Sequence, residues 1–380
     1  MDLPKTKSGA LAGAPVYEHL AKKNIPGILL ACNFRYIPGI SLGVFKALKK
    51  TNTIAIAELA KSECDVNKGY TGMTPQMFVE QISEVAQEAD WPWYILHADH
   101  ITVKEDSTEA IDSAKALIKA HLEEGTGSFA IDCSYHFNTE ADEVSEQLKR
   151  NIELTAELTN FLKKHASFDF GLEVEVGEVG KKDQEGFVVT TVEEADYYIN
   201  ALTERDFRPH FLAIANGSTH GNIFDEEGKQ IDQITIDIPR TVEIGKAIAK
   251  YGVRVAQHGI TGTPLTFIEQ HFPKIEIGKG NVGTNWQNIF YDSLEKHEPE
   301  MYTQVRNWVL EEFSSKPKNQ GQPENVIFGN NAKYAFREFY DDFRTIDKKT
   351  LKAMEKNAYD SAMEFLKAFD SRDLVKHFED

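Results

Sequence analysis

The 380-residue chain contains little cysteine and no long apolar run. Its three cysteines are odd in number, widely spaced and without a Cys-x-x-Cys pair. This pattern disfavours a disulfide framework and favours a reducing compartment. No stretch approaches about 20 apolar residues, and the N-terminus lacks the apolar core of a signal peptide. We therefore expect a soluble, cytoplasmic protein that does not bind membranes.

Basic residues are outnumbered by acidic ones. The chain has 42 Lys+Arg against 60 Asp+Glu, a formal net charge of -18, and no long Lys/Arg cluster. An acidic surface repels phosphate backbones, so nucleic acid is disfavoured as a partner. The same charge gives little long-range attraction for an anionic metabolite, so local groups must hold any anionic substrate. Neither a G-x-G-x-x-G after the first strand-like run nor a Walker-type loop is present, which gives no support for nucleotide binding.

Eight short β-rich runs alternate with amphipathic helical segments. The runs are ILLACN (28–33), IAIAEL (54–59), YILHAD (94–99), FAIDCS (129–134), GLEVEVG (171–177), FLAIANG (211–217), VRVAQHG (253–259) and KIEIGKG (274–280). This alternation is typical of a parallel sheet, and eight units fit a closed (β/α)8 TIM barrel better than an open doubly wound sheet. Beyond about residue 285, long helical segments follow. We predict one catalytic barrel over 1–315 and, over 316–380, a loop and helical extension packed on it.

Three histidines follow three different runs: His100, His220 and His258. Because reactive groups lie where the carboxyl ends of barrel strands meet, we expect the three imidazoles to approach one another. Neutral imidazole nitrogens suit a divalent ion such as zinc, and three protein ligands leave a position open for substrate. The sequence therefore predicts a three-histidine site for zinc or another divalent metal.

Carboxylates accompany these histidines. Glu173 and Glu175 lie on one face of their run, and burying both requires a cation, protonation or a hydrogen-bond network. Asp99 is a candidate either for outer-layer support of the metal or for proton transfer. Strand alternation predicts that Asp99 points in the same direction as His97 and that His100 lies at the end of its strand.

At these residues the sequence resembles the class II, metal-dependent fructose-bisphosphate and tagatose-bisphosphate aldolases. LHADH resembles the family's H-x-D-H, IDCS its I-D-x-S, LEVEVG its L-E-x-E-x-G, NGSTHG its G-x-x-H-G, QHGITG its H-G-G-S-G, and GKGNVGTNWQ its N-x-D-T-x-x-Q. The similarity extends from about residue 25 to about residue 340, with the order of the motifs preserved.

The resemblance implies a role for each matching position. His100, His220 and His258 would bind the catalytic metal, with Glu175 as an alternative or outer ligand and Asp132 supporting the metal ligands. Asp99 would be the acid at the hydroxyl of the breaking C–C bond. The substrate would be bound by Asn33 and Asn281, its nearer phosphate would lie against Gly221, Gly259 and Thr261, and its far phosphate would contact Lys333. The metal would polarise the ketose carbonyl and stabilise the enediolate. A monovalent cation is a further candidate cofactor.

The departures from the family pattern concern substrate recognition. Phe224 stands where the family has a phosphate-binding lysine, Gly283 where it has a substrate-binding aspartate, and Ile260 where it has the second glycine of H-G-G-S-G. Backbone N–H groups near Thr261, Lys279, or the loop lysines 181 and 182 are the remaining candidates for holding phosphate. Alternatively, the substrate carries one phosphate or none.

The second proton-transfer group would come from the loop after the fifth run. This loop lacks a clear acidic pair, and Glu178, Asp183 and Glu185 are each candidates. We favour Glu185.

Three functions follow from these observations. The first is a divalent-metal-dependent aldolase that cleaves or forms a C–C bond of a ketose phosphate, similar to fructose or tagatose bisphosphate, and the second is a zinc-dependent ketose or sugar-acid epimerase on the same scaffold. The third, a non-catalytic aldolase-like subunit, is disfavoured because such a subunit has no need to retain metal ligands. We expect a homodimer.

Overall fold

A computed structural model of the chain describes residues 3–177 and 188–379. The loop carboxylates Glu178, Asp183 and Glu185 lie outside the described residues, as do lysines 181 and 182. The predicted fold is confirmed: eight parallel strands close into a barrel in the order β1-β10-β9-β6-β5-β4-β3-β2. They are β1 (Leu29–Asn33), β2 (Ala55–Ala60), β3 (Tyr94–Thr102), β4 (Ser128–Asp132), β5 (Gly171–Val176), β6 (Phe211–Ile214), β9 (Arg254–Gln257) and β10 (Ile277–Val282). Almost every strand residue is buried, as expected for strands covered on both faces.

A short antiparallel hairpin follows the sixth barrel strand. It pairs β7 (Ile223–Phe224) with β8 (Gln230–Ile231), and the sequence pattern does not predict it. Each strand is only two residues long, which is too short to show a period of alternating apolar residues.

Helices surround the barrel and extend beyond it. They are α1 (Gly13–Lys22), α2 (Ile40–Thr51), α3 (Pro75–Ala89), α4 (Thr108–Glu124), α5 (Val144–Gln147), α6 (Lys149–His165), α7 (Val192–Thr203), α8 (Ile238–Ile248), α9 (Leu265–His271), α10 (Thr284–His297), α11 (Pro299–Phe313), α12 (Glu324–Asn331), α13 (Ala335–Glu338), α14 (Tyr340–Phe343) and α15 (Lys348–Ala368). Several begin at a side chain that caps the first turn, such as Thr74 before α3 and Ser107 before α4. Within the described residues, no helix is long and apolar enough to cross a membrane.

The C-terminal helix α15 packs against α2, α9 and α10. It ends at Ala368, and a short 3₁₀ turn follows at Leu374–His377. The helix stops because Asp370 adopts a left-handed conformation with a φ of 55°, a common way to end a helix.

A β-bulge in β3 sets the orientation of the side chains of the LHADH segment. The pairing of β3 with β4 passes from Ala98 opposite Phe129 to Ile101 opposite Ile131, so two residues of β3 face one of β4. His100, inside the bulge, has a φ of 39°. Bulges of this kind re-aim side chains. The prediction that His100 ends its strand is therefore wrong, because β3 continues to Thr102.

Candidate active site

The carboxyl ends of the barrel strands surround a cavity of about 770 Å³. Twelve of the candidate site residues line it. These residues are Asn33, Asp99, His100, Asp132, Glu175, His220, Gly221, His258, Gly259, Thr261, Asn281 and Lys333. Seven strands or the loops after them supply the side chains that bear chemistry, and Lys333 comes from the C-terminal helical region. Parallel closure thus brings together residues as remote in the sequence as Asn33 and Asn281.

The three histidines converge within this cavity. One ring nitrogen from each of His100, His220 and His258 lies within 4.8 Å of the other two, and Nε2 of His100 is 3.0 Å from Nδ1 of His258. His258 is buried, His100 is partly exposed and His220 is exposed. This spacing suits three ligands of one ion, with the exposed side open to a substrate.

A carboxylate orients His258. Its Nε2 lies 2.7 Å from Oε1 of the buried Glu173. A protonated Nε2 donating to Glu173 leaves Nδ1 unprotonated on the side that faces His100 and the cavity. Carboxylates commonly hold metal-ligating histidines in this way.

Two further carboxylates lie on the other side of His100. Its Nδ1 is 3.0 Å from Oε2 of Glu175 and 3.8 Å from Oδ2 of Asp132. Asp132 is held by the backbone N–H and hydroxyl of Ser134 and by the hydroxyl of Thr102. Burial and the charge of Asp132 raise the pKa of Glu175 to about 7. With Nε2 of His100 turned to the other histidines, Glu175 and Asp132 are placed to support its opposite nitrogen.

Asn281 presents a free acceptor at the cavity. The amide of Asn33 donates to Oδ2 of Asp99 at 3.2 Å, and the amide of Asn281 donates to Glu58 at 2.6 Å. Oδ1 of Asp99 accepts no hydrogen bond from the described residues, but Nζ of Lys279 lies 3.5 Å from it. Oδ1 of Asn281 is buried and has no hydrogen-bond partner among the described residues. Buried acceptors normally have partners, so Oδ1 of Asn281 suits a hydroxyl group of a bound molecule.

The charge around Asp99 keeps it ionised. Burial raises the pKa of Asp99, but the charges of His100 and Lys279 outweigh burial and hold that pKa below its usual range. A carboxylate in this state accepts a proton from a hydroxyl group rather than donating one.

Beneath the cavity, Lys279 is fully buried inside the barrel. Its Nζ lies 2.7 Å from Oε2 of Glu173, 2.9 Å from Oε2 of Glu58 and 3.5 Å from Oδ1 of Asp99. It also donates to Nε2 of His97 at 3.2 Å, so Nδ1–H of His97 faces Ser128. Lys279 does not line the cavity, and this excludes it as a ligand for substrate phosphate.

We expect Lys279→Met to destabilise the protein by about 3–5 kcal/mol, because it leaves Glu173 and its neighbouring carboxylates buried without their cation. Urea denaturation followed by circular dichroism measures the change in the free energy of unfolding. Lys250→Met is the control, since that exposed lysine pairs with Asp196 at the surface and should change stability little. A Lys279→Met variant as stable as the wild type would contradict this account of the network.

Two glycines shape the part of the cavity wall that, by the family resemblance, would bind a substrate phosphate. Gly259 has a φ of 64°, and a Cβ there would lie 2.6 Å from the carbonyl oxygen of Thr219. Gly221 has a φ of 91° and open space around its Cα. Beside them, the hydroxyl of Thr261 accepts a hydrogen bond from the backbone N–H of Asn285. A side chain at Gly259 would therefore push two loops of the cavity wall apart.

Phe224 does not contribute to the cavity wall. It lies on strand β7, and a Cβ at Gly329 in α12 would be 2.6 Å from its ring. The position at which the family carries a phosphate-binding lysine is thus used here for packing between the hairpin and α12.

A further cluster in the cavity was not found from the sequence. Arg35 donates to Glu63 and Gln287, and the hydroxyl of Tyr70 also donates to Glu63. Lys333 extends over the same tyrosine ring, with Nζ 5.7 Å from its centroid. Arg35 follows Asn33 by two positions at the end of β1, so inspection of every strand end could have identified it. Glu63 and Tyr70 follow β2 in a loop that carries no motif.

The comparisons agree with this geometry. The chain belongs to the class-II fructose-bisphosphate aldolase family, whose model matches residues 25–371. No curated protein matches the chain in sequence.

Solved structures share the fold at low sequence identity. The YdjI aldolase from Escherichia coli K12 is 17% identical, with a TM-score of 0.58 over 95% of this chain and 98% of that one. A probable tagatose 6 phosphate kinase from Sinorhizobium meliloti 1021 is 15% identical, with a TM-score of 0.62 over 93% and 99%. The fructuronate-tagaturonate epimerase UxaE from Cohnella laeviribosi is 11% identical, with a TM-score of 0.63 over 91% and 82%.

Proposed function

We propose that the protein is a divalent-metal-dependent aldolase that cleaves or forms a C–C bond of a ketose phosphate. The observation that carries this proposal is the convergence of three imidazoles beside the buried carboxyl group of Asp99 in one cavity. Membership of the class II aldolase family supports the same reaction.

The donor set fits a divalent ion. His100, His220 and His258 would hold it, with Glu173 fixing the tautomer of His258 and Glu175 supporting His100. When bound there, zinc or a similar ion would act as a Lewis acid on a ketose carbonyl.

The protein's own groups account for binding and proton transfer. Asp99 is placed to accept the proton of the hydroxyl at the breaking bond, and to return it in the direction of synthesis. Asn33 holds Asp99 in place, and Oδ1 of Asn281 is free to accept from a second hydroxyl. Glu185, outside the described residues, is our candidate for the second proton transfer.

A sugar epimerase is the second candidate. The observation that favours it is Phe224, because replacing the phosphate-binding lysine of the family weakens the case for a bisphosphate substrate. UxaE, whose fold is similar, is an epimerase of sugar acids. An epimerase would need the same metal and acid–base groups.

A substrate panel tests both functions. The zinc-loaded protein is incubated with ketoses carrying no, one or two phosphates and with ketouronates, and products are followed by NMR. We expect release of a triose or triose phosphate that stops when a chelator removes the metal. Conversion to an epimer without triose would replace the first function with the second, and no turnover of any member would reject both.

A further inference from the structure

Arg35 presents one unpaired end of its guanidinium to the cavity. Its Nε donates to Oε1 of Glu63 at 2.8 Å and its Nη1 to Oε1 of Gln287 at 2.8 Å. Its Nη2 has no hydrogen-bond partner in the part of the chain that the structure describes. The side chain is only 15% exposed, so the free N–H groups of Nη2 have little access to bulk water.

Gly283 makes room for this guanidinium. A Cβ at Gly283 would lie 3.3 Å from Nη2 of Arg35 and 3.2 Å from Cβ of Asn33. The aligned position of the family carries an aspartate that binds substrate. The charge of this part of the wall is therefore reversed, with a guanidinium replacing a carboxylate.

A second cation lies beside Arg35. Arg35 and Lys333 both approach the ring of Tyr70, with Cζ at 5.8 Å and Nζ at 5.7 Å from its centroid. Burial and the charge of Arg35 lower the pKa of Lys333. Among the described residues, Lys333 forms no ion pair and no hydrogen bond, although it lines the cavity.

The nearest carboxylate cannot neutralise both cations. Oε1 of Glu63 accepts from Arg35 and Tyr70, and Oε2 accepts from the amide of Asn33 and the backbone N–H of Ala60. Four hydrogen bonds fill its acceptor sites. Around the ring of Tyr70, one carboxylate therefore faces two cations, and this cluster has an excess positive charge in a chain that is acidic overall.

We propose that Nη2 of Arg35, which the absence of a side chain at Gly283 accommodates, binds a terminal oxyanion of the substrate, a carboxylate or a phosphate, together with Lys333. This proposal rests on the proposed function, since it names the substrate class of the same site. Asn33 links the two parts of the site: its amide donates to Glu63 at 3.1 Å and to Asp99 at 3.2 Å. The oxyanion would thus be bound on the same wall as Asp99, with the Asn33 side chain between them.

Binding of three matched six-carbon probes tests the proposal without requiring turnover. They are D-glucitol (neutral), D-gluconate (carboxylate) and D-glucitol 6-phosphate. Isothermal titration calorimetry is done with zinc-loaded wild type and with the His100→Ala variant, in which metal coordination of an anion is weakened. We expect at least one anionic probe to bind about 10- to 100-fold more tightly than glucitol, the range of a charge-assisted hydrogen bond. Which anion is preferred distinguishes a sugar acid from a sugar phosphate.

Two variants test whether Arg35 causes the tighter binding of the anionic probes. Arg35→Gln removes the charge, and Gly283→Asp restores the family carboxylate beside Nη2; each should abolish the preference. Gly283 precedes α10 as its N-cap without a capping side chain, so aspartate there suits the helix and the variant should fold even if Arg35→Gln does not. Arg240→Gln is the matched control, because its exposed arginine pairs with Glu243 outside the cavity.

Three results would overturn the proposal. Wild type could bind the three probes equally, or the anion preference could survive in Gly283→Asp. It could also disappear only in Lys61→Gln or Lys104→Gln, the other lysines of the cavity wall. None of these results bears on whether a triose is released, so failure of this proposal and failure of the aldolase are separate outcomes.

Discussion

Replacing His100 with alanine should remove both the metal and the activity. His100 has Nε2 within 3.0 Å of Nδ1 of His258 and Nδ1 within 3.0 Å of Oε2 of Glu175, so the metal group and its supporting carboxylates meet at this ring. Loss of a residue that only hydrogen-bonds a metal ligand typically lowers metal affinity about 10- to 100-fold. We therefore expect loss of a direct ligand to exceed about 100-fold and kcat/KM to fall to background.

Zinc titration with a chromogenic chelator and elemental analysis measure this effect, alongside turnover of the substrate found in the panel. His271→Ala is the control, because His271 is exposed at the end of α9 and does not line the cavity. A His100→Ala variant that binds about one zinc per chain as tightly as the wild type would remove the three-histidine site from the mechanism.

Asp99→Asn should keep the metal and lose turnover. Asparagine preserves the shape and can still accept from the amide of Asn33, but it has no carboxylate to take a proton. General acid–base groups typically contribute about 10²–10⁴ to the rate, and we expect a loss of kcat of that size with bound zinc unchanged. Single-turnover kinetics and metal analysis on the same preparation separate the two effects.

Glu58→Gln is the matched control for Asp99. Burial and the charge of Asp99 raise the pKa of Glu58 well above its usual range, so Glu58→Gln changes the charge of this neighbour of Lys279 less than Asp99→Asn changes that of Asp99. Glu58 does not line the cavity. We expect a far smaller loss of kcat than for Asp99→Asn. Equal losses would show that the network as a whole, rather than Asp99, supports turnover.

Much of the barrel could be predicted from the sequence because its strands are buried on both faces. Each of the eight runs is short and rich in β-forming residues, and each corresponds to a barrel strand within a few residues. The amphipathic segment of residues 142–165 is divided at Leu148 between α5 and α6, and the hairpin of β7 and β8 is not predicted by the sequence pattern. The periodic pattern of apolar residues cannot reveal a single irregular residue or a strand of two residues.

The site was predictable where one strand end bears one reactive group. His258 directly follows β9 and His220 lies in the loop after β6, and parallel closure brings these two positions to the same mouth of the barrel. Asp99 and His100 are adjacent, and regular alternation would turn one of them away from the cavity. Only the bulge opposite Ala130, a feature of the pairing between β3 and β4, lets both residues line it.

The ion pairs of the site could likewise not be predicted from the sequence, although the charged residues themselves are visible there. The sequence contains Lys279 and Glu173 but not their pairing, which requires β10 and β5 to face each other across the barrel and which withdraws Lys279 from substrate binding. It likewise contains Arg35 and Gly283, whereas their contact is made only when β1 and β10 lie side by side.

The sequence by itself determined the fold, the family resemblance and the identity of the three histidines, because apolar periodicity and strand-end chemistry are local properties. The tertiary structure alone decided which polar groups are paired and which remain free, because that depends on distances between strands remote in the chain. In the cavity it leaves Oδ1 of Asn281 and the Nη2 group of Arg35 without partners among the described residues, and these define what a substrate must supply.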